Sequence, residues 1–161
     1  MSIHPIVKMG HPTLRKVASP VTPSDLDHPE MHTLIADMVE TLHDAGGIGL
    51  AAPQIDRPIQ LAIIEVPGGP SRYGDIESIP LTVFFNPVLT VLDPAEAGYW
   101  EGCLSVPGLR GFVHRPQHVR VDYMDITGKP ASLELKGFLA TVVQHEFDHL
   151  AGKLYVDHIR D

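Results

Sequence analysis
The sequence predicts an α+β fold: an N-terminal helix and mostly antiparallel β-sheets packed around a central HExxH metal-binding helix. Three observations carry this. Met31, Leu34, Ile35, Met38, Val39 and Leu42 recur at helical spacing near the start. Between residues 59 and 137, segments rich in Val, Ile, Phe and Tyr alternate with turn residues. Leu139, Val142, Val143 and Leu150 then form a second helical pattern. One helix, a run of strands and one helix is an α+β order.

Taken in sequence, Pro5, Pro12 and Pro20 keep the first 20 residues irregular. Thr22, Pro23 and Ser24 mark a helix entry, and a helix is expected over 24–44, stopped by Gly46 and Gly47. A glycine loop leads to a strand over 59–66. The Pro- and Gly-rich stretch 67–80 reads as a long exposed loop, either a flap or a surface insertion. Strands are expected over 81–92, 98–105, 111–113, 118–125 and 131–137, with a turn at Thr127, Gly128, Lys129 and Pro130. The last helix spans 138–151 and ends at Gly152. There is no internal repeat, and 161 residues is near the commonest domain size, so residues 1–161 are expected to form one domain.

Composition removes several function classes. The net charge is −8 with no basic cluster, which argues against direct nucleic acid binding and against anionic lipid. No apolar run approaches the roughly 18 to 20 residues that cross a bilayer, and the N-terminus does not read as a signal peptide. The single cysteine, Cys103, has no internal partner for a disulfide, which fits a reducing, cytoplasmic setting.

The strongest local signal is His145-Glu146-Phe147-Asp148-His149. At about 100° per residue, His149 lies about 40° round the helix from His145 and Glu146 about 100° round. Two imidazoles and a carboxylate thus share a face, suited to a divalent metal with an adjacent general base. The plainer alternative is a helix with two surface histidines, but apolar residues flank the motif and predict burial. The other histidines, such as His28, His32 and His158, read as solvated. A catalytic metal usually takes three protein ligands and one open position. The peptidase pattern HExxHxxGxxH is matched through Gly152 but meets Tyr155 in place of the last His, and only 12 residues follow His149. A third ligand then comes from upstream or is solvent; upstream, Cys103 offers a thiolate, although a lone cysteine taken by itself is more often a small core residue.

The segment from Gly46 to Gln54, GGIGLAAPQ, lacks the preceding strand and following helix of a dinucleotide-binding turn. Its small residues permit close backbone approach to a ligand, and Gln54 adds an amide donor.

Together these segments resemble the peptide deformylase family, which carries GxGxAAxQ, EGCxS and HExxH in this order. Here they read GIGLAAPQ at 47–54, EGCLS at 101–105 and HEFDH at 145–149, and the resemblance runs through nearly the whole chain. It implies that Cys103, His145 and His149 bind one divalent ion, with Fe2+ the expected native metal and Zn2+, Ni2+ or Co2+ able to occupy the site. It implies Glu146 as general acid/base, and Gln54 with the Leu104 backbone N–H as oxyanion donors. Gly49 would pair its backbone with substrate, Arg110 would lie near the substrate entrance, and Glu101 would be a supporting carboxylate. Ile48, Phe138 and Val142 are candidate linings of a methionine pocket.

The implied reaction is removal of formate from the N-formylmethionine of nascent proteins, by attack of a metal-activated water on the formyl carbon. The setting would be the cytoplasm of a bacterial or organellar translation compartment, with transient ribosome proximity. Many relatives continue into a C-terminal helix near the ribosome; this sequence ends soon after its motif helix, which puts docking by that route in doubt. Two rivals remain at this point: a zinc metallopeptidase of the HExxH type, and a non-catalytic metal-binding domain.

Overall fold
The computed structural model of the chain describes residues 2–71 and 74–160. Helix α1 spans Pro29–Ala45. It begins later than the expected residue 24 because Pro29 lacks an N–H and would clash inside a helix. The preceding Pro23–Asp27 forms a separate 3-10 turn. The end falls as expected: Gly46 caps the helix at φ 69°, a left-handed conformation that glycine adopts without strain.

Strands β1 (Gly49–Ala51), β2 (Leu61–Val66), β3 (Gly69–Ser71), β4 (Gly74–Ile76), β5 (Ile79–Cys103), β6 (Val106–Met124) and β7 (Pro130–Lys136) follow. Helix α2, Phe138–Leu150, comes after them. A five-stranded sheet has the order β1-β2-β5-β6-β7, every neighbouring pair antiparallel.

Two expectations change here. The stretch 67–80 is not wholly irregular: β3 and β4 pair as a two-stranded ribbon, with residues 72 and 73 outside the described residues. The four short strands expected over 81–125 are two long ones. The expected gap over 93–97 closes because Pro94 falls where the β5–β6 register shifts, between Asp93 and Glu96, as Pro87 does between Phe85 and Val88. Such bulges absorb a residue that has no N–H to give to the ladder.

The sheet is covered on both faces around β2. Leu61 and Ile63 pack with Leu34, Ile35, Met38 and Leu42 of α1. Ile64 and Val66 pack with Val119 and Val121 of β6 and with Leu139, Val142 and Val143 of α2. Burial on both faces explains why β2 reads as a continuous apolar run. No helix among the described residues is long and apolar enough to cross a membrane. The result for the site is positional: α2 lies against β1 and β6, beside the end of β5.

Candidate metal centre and active site
The turn between β5 and β6 is Leu104-Ser105, so Cys103 is the last residue of β5 and pairs with Val106. A register shift between Glu101 and Cys103 re-aims the strand just before this turn. On α2, His145 and His149 sit one turn apart, as the i, i+4 spacing requires. One ligand atom each from Cys103, His145 and His149 lie within 4.8 Å of one another. Cys103 Sγ is 3.5 Å from His149 Nε2. One thiolate and two imidazole nitrogens suit a borderline or soft divalent ion.

The orientation of His145 is fixed from behind. Its Nδ1 donates to Glu101 Oε1 at 2.9 Å. Arg115 clamps the same carboxylate, Nε to Oε2 at 2.7 Å and Nη2 to Oε1 at 3.1 Å. Burial alone would raise the Glu101 carboxyl, but the bonds from His145 and Arg115 outweigh it and hold its pKa below the ordinary value. Burial disfavours a charged His145, yet its bonds to Cys103 and Glu101 prevail and its pKa is raised to about 10. His149 is lowered to about 3, first by burial and then by the positive His145 and Arg115. A cation bound by Cys103, His145 and His149 would take the place of the proton that these contacts favour on His145.

Glu146 is buried, and burial raises its pKa to about 7. Its Oε2 has no hydrogen-bond partner among the described residues. Gln54 is also buried and held by a 3-10 turn, Ala52–Ile55. Its Oε1 accepts from the Ala51 N–H at 2.9 Å, which points Nε2 toward Ser105 Oγ at 3.2 Å and Cys103 Sγ at 3.6 Å.

A cavity of about 760 Å³ opens onto this group. It is lined by every residue the sequence proposed except His149: Ile48, Gly49, Gln54, Glu101, Cys103, Leu104, Arg110, Phe138, Val142, His145 and Glu146. Thr141, Trp100 and Leu109 also line it and carried no signal in the sequence.

The sequence missed other groups. Arg115 became visible only through the β5–β6 pairing. Ser105 was seen as part of a motif but not as the partner of Gln54. Tyr155, which takes the place of the last His in the peptidase pattern, stacks its ring on His145 at 6.0 Å and 21°. His28 and His32 are exposed as expected. His158 is not simply solvated, because its Nε2 donates to Asp148 Oδ2 at 2.8 Å. The glycine segment is also more ordered than a loop, since Gly49–Ala51 forms the edge strand β1.

The sequence pattern of the polypeptide deformylase family matches residues 3–161. The chain belongs to the peptide deformylase family. Peptide deformylase 2 of Pseudomonas syringae pv. tomato is 48% identical over 159 residues, covering 99% of this chain and 88% of that one. Peptide deformylase 1 of Bordetella pertussis is 49% identical, covering 99% and 89%. The class I type b peptide deformylase of Acinetobacter baumannii, solved with Met-Ala-Ser bound, superposes with a TM-score of 0.92 at 35% identity, over 99% of this chain and 100% of that one. The peptide deformylase of Thermotoga maritima superposes at 0.85 with 33% identity, over the whole of both chains. Peptide deformylases are metal-dependent enzymes that remove the N-terminal formyl group, so the chain is an enzyme of that class with a possible Cys/His/His metal site. Membership of this family does not favour a metallopeptidase or a purely structural metal domain.

Proposed function
We propose that the 161 residues act as one catalytic domain that hydrolyses the formyl group from N-formylmethionyl termini of nascent chains. The observation that carries this is the convergence of Cys103, His145 and His149 at the end of a cavity that Glu146 also lines. The three side chains would hold one divalent ion, Fe2+ in the native enzyme. The Glu101 bond at Nδ1 leaves His145 Nε2 as the ligating nitrogen. When bound, such an ion acidifies a water and polarises a carbonyl oxygen.

Glu146 takes the proton of the attacking water. A carboxylate whose pKa lies near neutrality can accept that proton and give it back within one turnover. As the water oxygen bonds to the formyl carbon, charge grows on the formyl oxygen. Gln54 Nε2 and the Leu104 N–H serve as its donors. Glu146 then protonates the methionine nitrogen as the C–N bond breaks, and formate leaves. Gly49 lies on an edge strand, whose outer N–H and C=O groups suit pairing with an extended peptide. Ile48, Phe138 and Val142 would receive the methionine side chain, and Arg110 would stand at the entrance. Such a substrate places the enzyme near translating ribosomes in the cytoplasm.

The test is incubation of formyl-Met-Ala-Ser with enzyme purified without air. Stoichiometric formate and intact Met-Ala-Ser are expected. Cleavage between the amino acids, or no formate from a metal-loaded sample, would overturn the reading.

A further inference from the structure
The contacts behind His145 do not stop at Arg115. Arg115 Nη1 donates to Asp148 Oδ2 at 2.9 Å, and His158 Nε2 donates to the same oxygen at 2.8 Å. An unbroken row of charge-assisted bonds thus runs from a candidate metal ligand to the protein surface. Its inner members are nearly sealed, with Arg115 at 4% and Glu101 at 7% exposure. The side chain of His158, at the outer end, is 36% exposed.

We propose that His158 is a positioning residue for His145, acting through Asp148, Arg115 and Glu101; this rests on His145 being a metal ligand. The planar guanidinium of Arg115 sets the plane of Glu101 by a two-bond fork and is itself anchored at its far corner by Asp148. Asp148 therefore has to hold one rotamer, and His158 is its second anchor.

Two further observations support a role beyond folding. The turn Tyr155–His158 has its own fastenings. Asp157 Oδ2 accepts from the Leu154 N–H at 3.0 Å, and Asp157 pairs with Arg15. Tyr155 is buried against Val106, Val113 and Leu154. The turn thus does not need the His158 imidazole to form. In addition, a second cavity of about 560 Å³ is lined by His158, Asp148 and Arg115. Solvent reaching it would compete for Asp148 once the imidazole is gone. Outer partners of metal-bound histidines typically change metal affinity by about 10–100-fold.

The test reads metal loss, not turnover. Cobalt-loaded enzyme is mixed with excess chelator and the release rate followed, with near-ultraviolet circular dichroism as the check on folding. His158→Leu should release cobalt about three- to tenfold faster than the parent, and Asp148→Asn faster still. His158→Gln, which keeps a donor, should return to within about twofold of the parent. Combining His158→Leu with Asp148→Asn should add nothing to Asp148→Asn alone, because both act through one oxygen. If His158→Leu fails to fold, Asp148→Asn with and without His158→Gln carries the comparison. Parent-like release from His158→Leu, or fully additive effects in the double variant, would overturn the proposal. A parent that binds no cobalt would overturn the metal reading beneath it, and that shows before any variant is made.

Discussion

Gly49 gives up its side chain to Glu146. A Cβ built on Gly49 would lie 2.7 Å from Cγ, Cδ and Oε1 of Glu146, well inside contact distance. The carboxylate is thus seated directly on the backbone of the edge strand that is proposed to receive substrate. Gly49→Ala should push Glu146 out of place with little harm to the fold. The expected result is a fall in kcat/KM of about 10²-fold or more, since a small misplacement of a catalytic group carries that cost. Metal content should stay at the parent level. Formate release and metal analysis on one sample check both.

Glu146→Gln removes the proton acceptor and keeps the shape. Metal should be retained and kcat should fall by about 10²–10⁴-fold, the range for general acid-base groups. Metal loss in this variant would make Glu146 a ligand.

The pH dependence of the parent follows from the same group. Glu146 must be ionised to accept a proton, and burial raises it to about 7 in the metal-free site. A bound cation nearby lowers it. The acid limb of kcat/KM should therefore have its midpoint at or below pH 7 and drop about tenfold per unit below it.

Stability of the metal-free protein should respond with a definite sign. The Glu146 carboxyl rises from its ordinary 4.5 to about 7 on folding. Below 4.5 it is protonated in both states and has no effect. From 4.5 to 7 only the unfolded state ionises and stability falls; above 7 the loss is complete. At about 1.4 kcal/mol per unit this is on the order of 3 kcal/mol. Glu146→Gln should therefore raise the melting temperature of chelator-treated protein at pH 8 and leave it unchanged at pH 4. Thermal scans at both values check this.

Gln54 combines a structural acceptor with a proposed oxyanion donor. Gln54→Ala should lower kcat by about 10²–10³-fold, the usual loss for one such donor. It should also cost about 1–3 kcal/mol, because the Ala51 N–H loses its partner in the interior. Comparing denaturant midpoints with turnover separates the two effects.

The candidate site was largely legible in the sequence because its members lie in three short motifs whose combined order resembles one family. His145 and His149 share a helix face whatever the rest of the fold does, whereas Cys103 and Gln54 stand out only when their motifs are taken together with that helix. What long-range pairing decides was hidden. Arg115 lies 14 residues from Glu101, and only the hairpin register, which pairs Ala97 with Arg115, brings its guanidinium back to that carboxylate. His158 looked like any polar residue of an exposed turn until α2 and that turn were folded together. In the fold, the stretch around Pro94 suggested a break between strands because a bulge has no clear sequence mark. Pro29 was the opposite case: a visible start signal six residues after Pro23, where the Thr22-Pro23-Ser24 entry makes only a separate 3-10 turn.

The central claim is that sulfur and two imidazoles hold one ion. Its most direct test is the absorption spectrum of the cobalt-substituted protein, with cobalt content measured on the same sample. One cobalt per chain with a thiolate-to-cobalt charge-transfer band, lost in Cys103→Ser, is the expected result. Full loading without that band would put the Cys103 sulfur outside the site and contradict the claim.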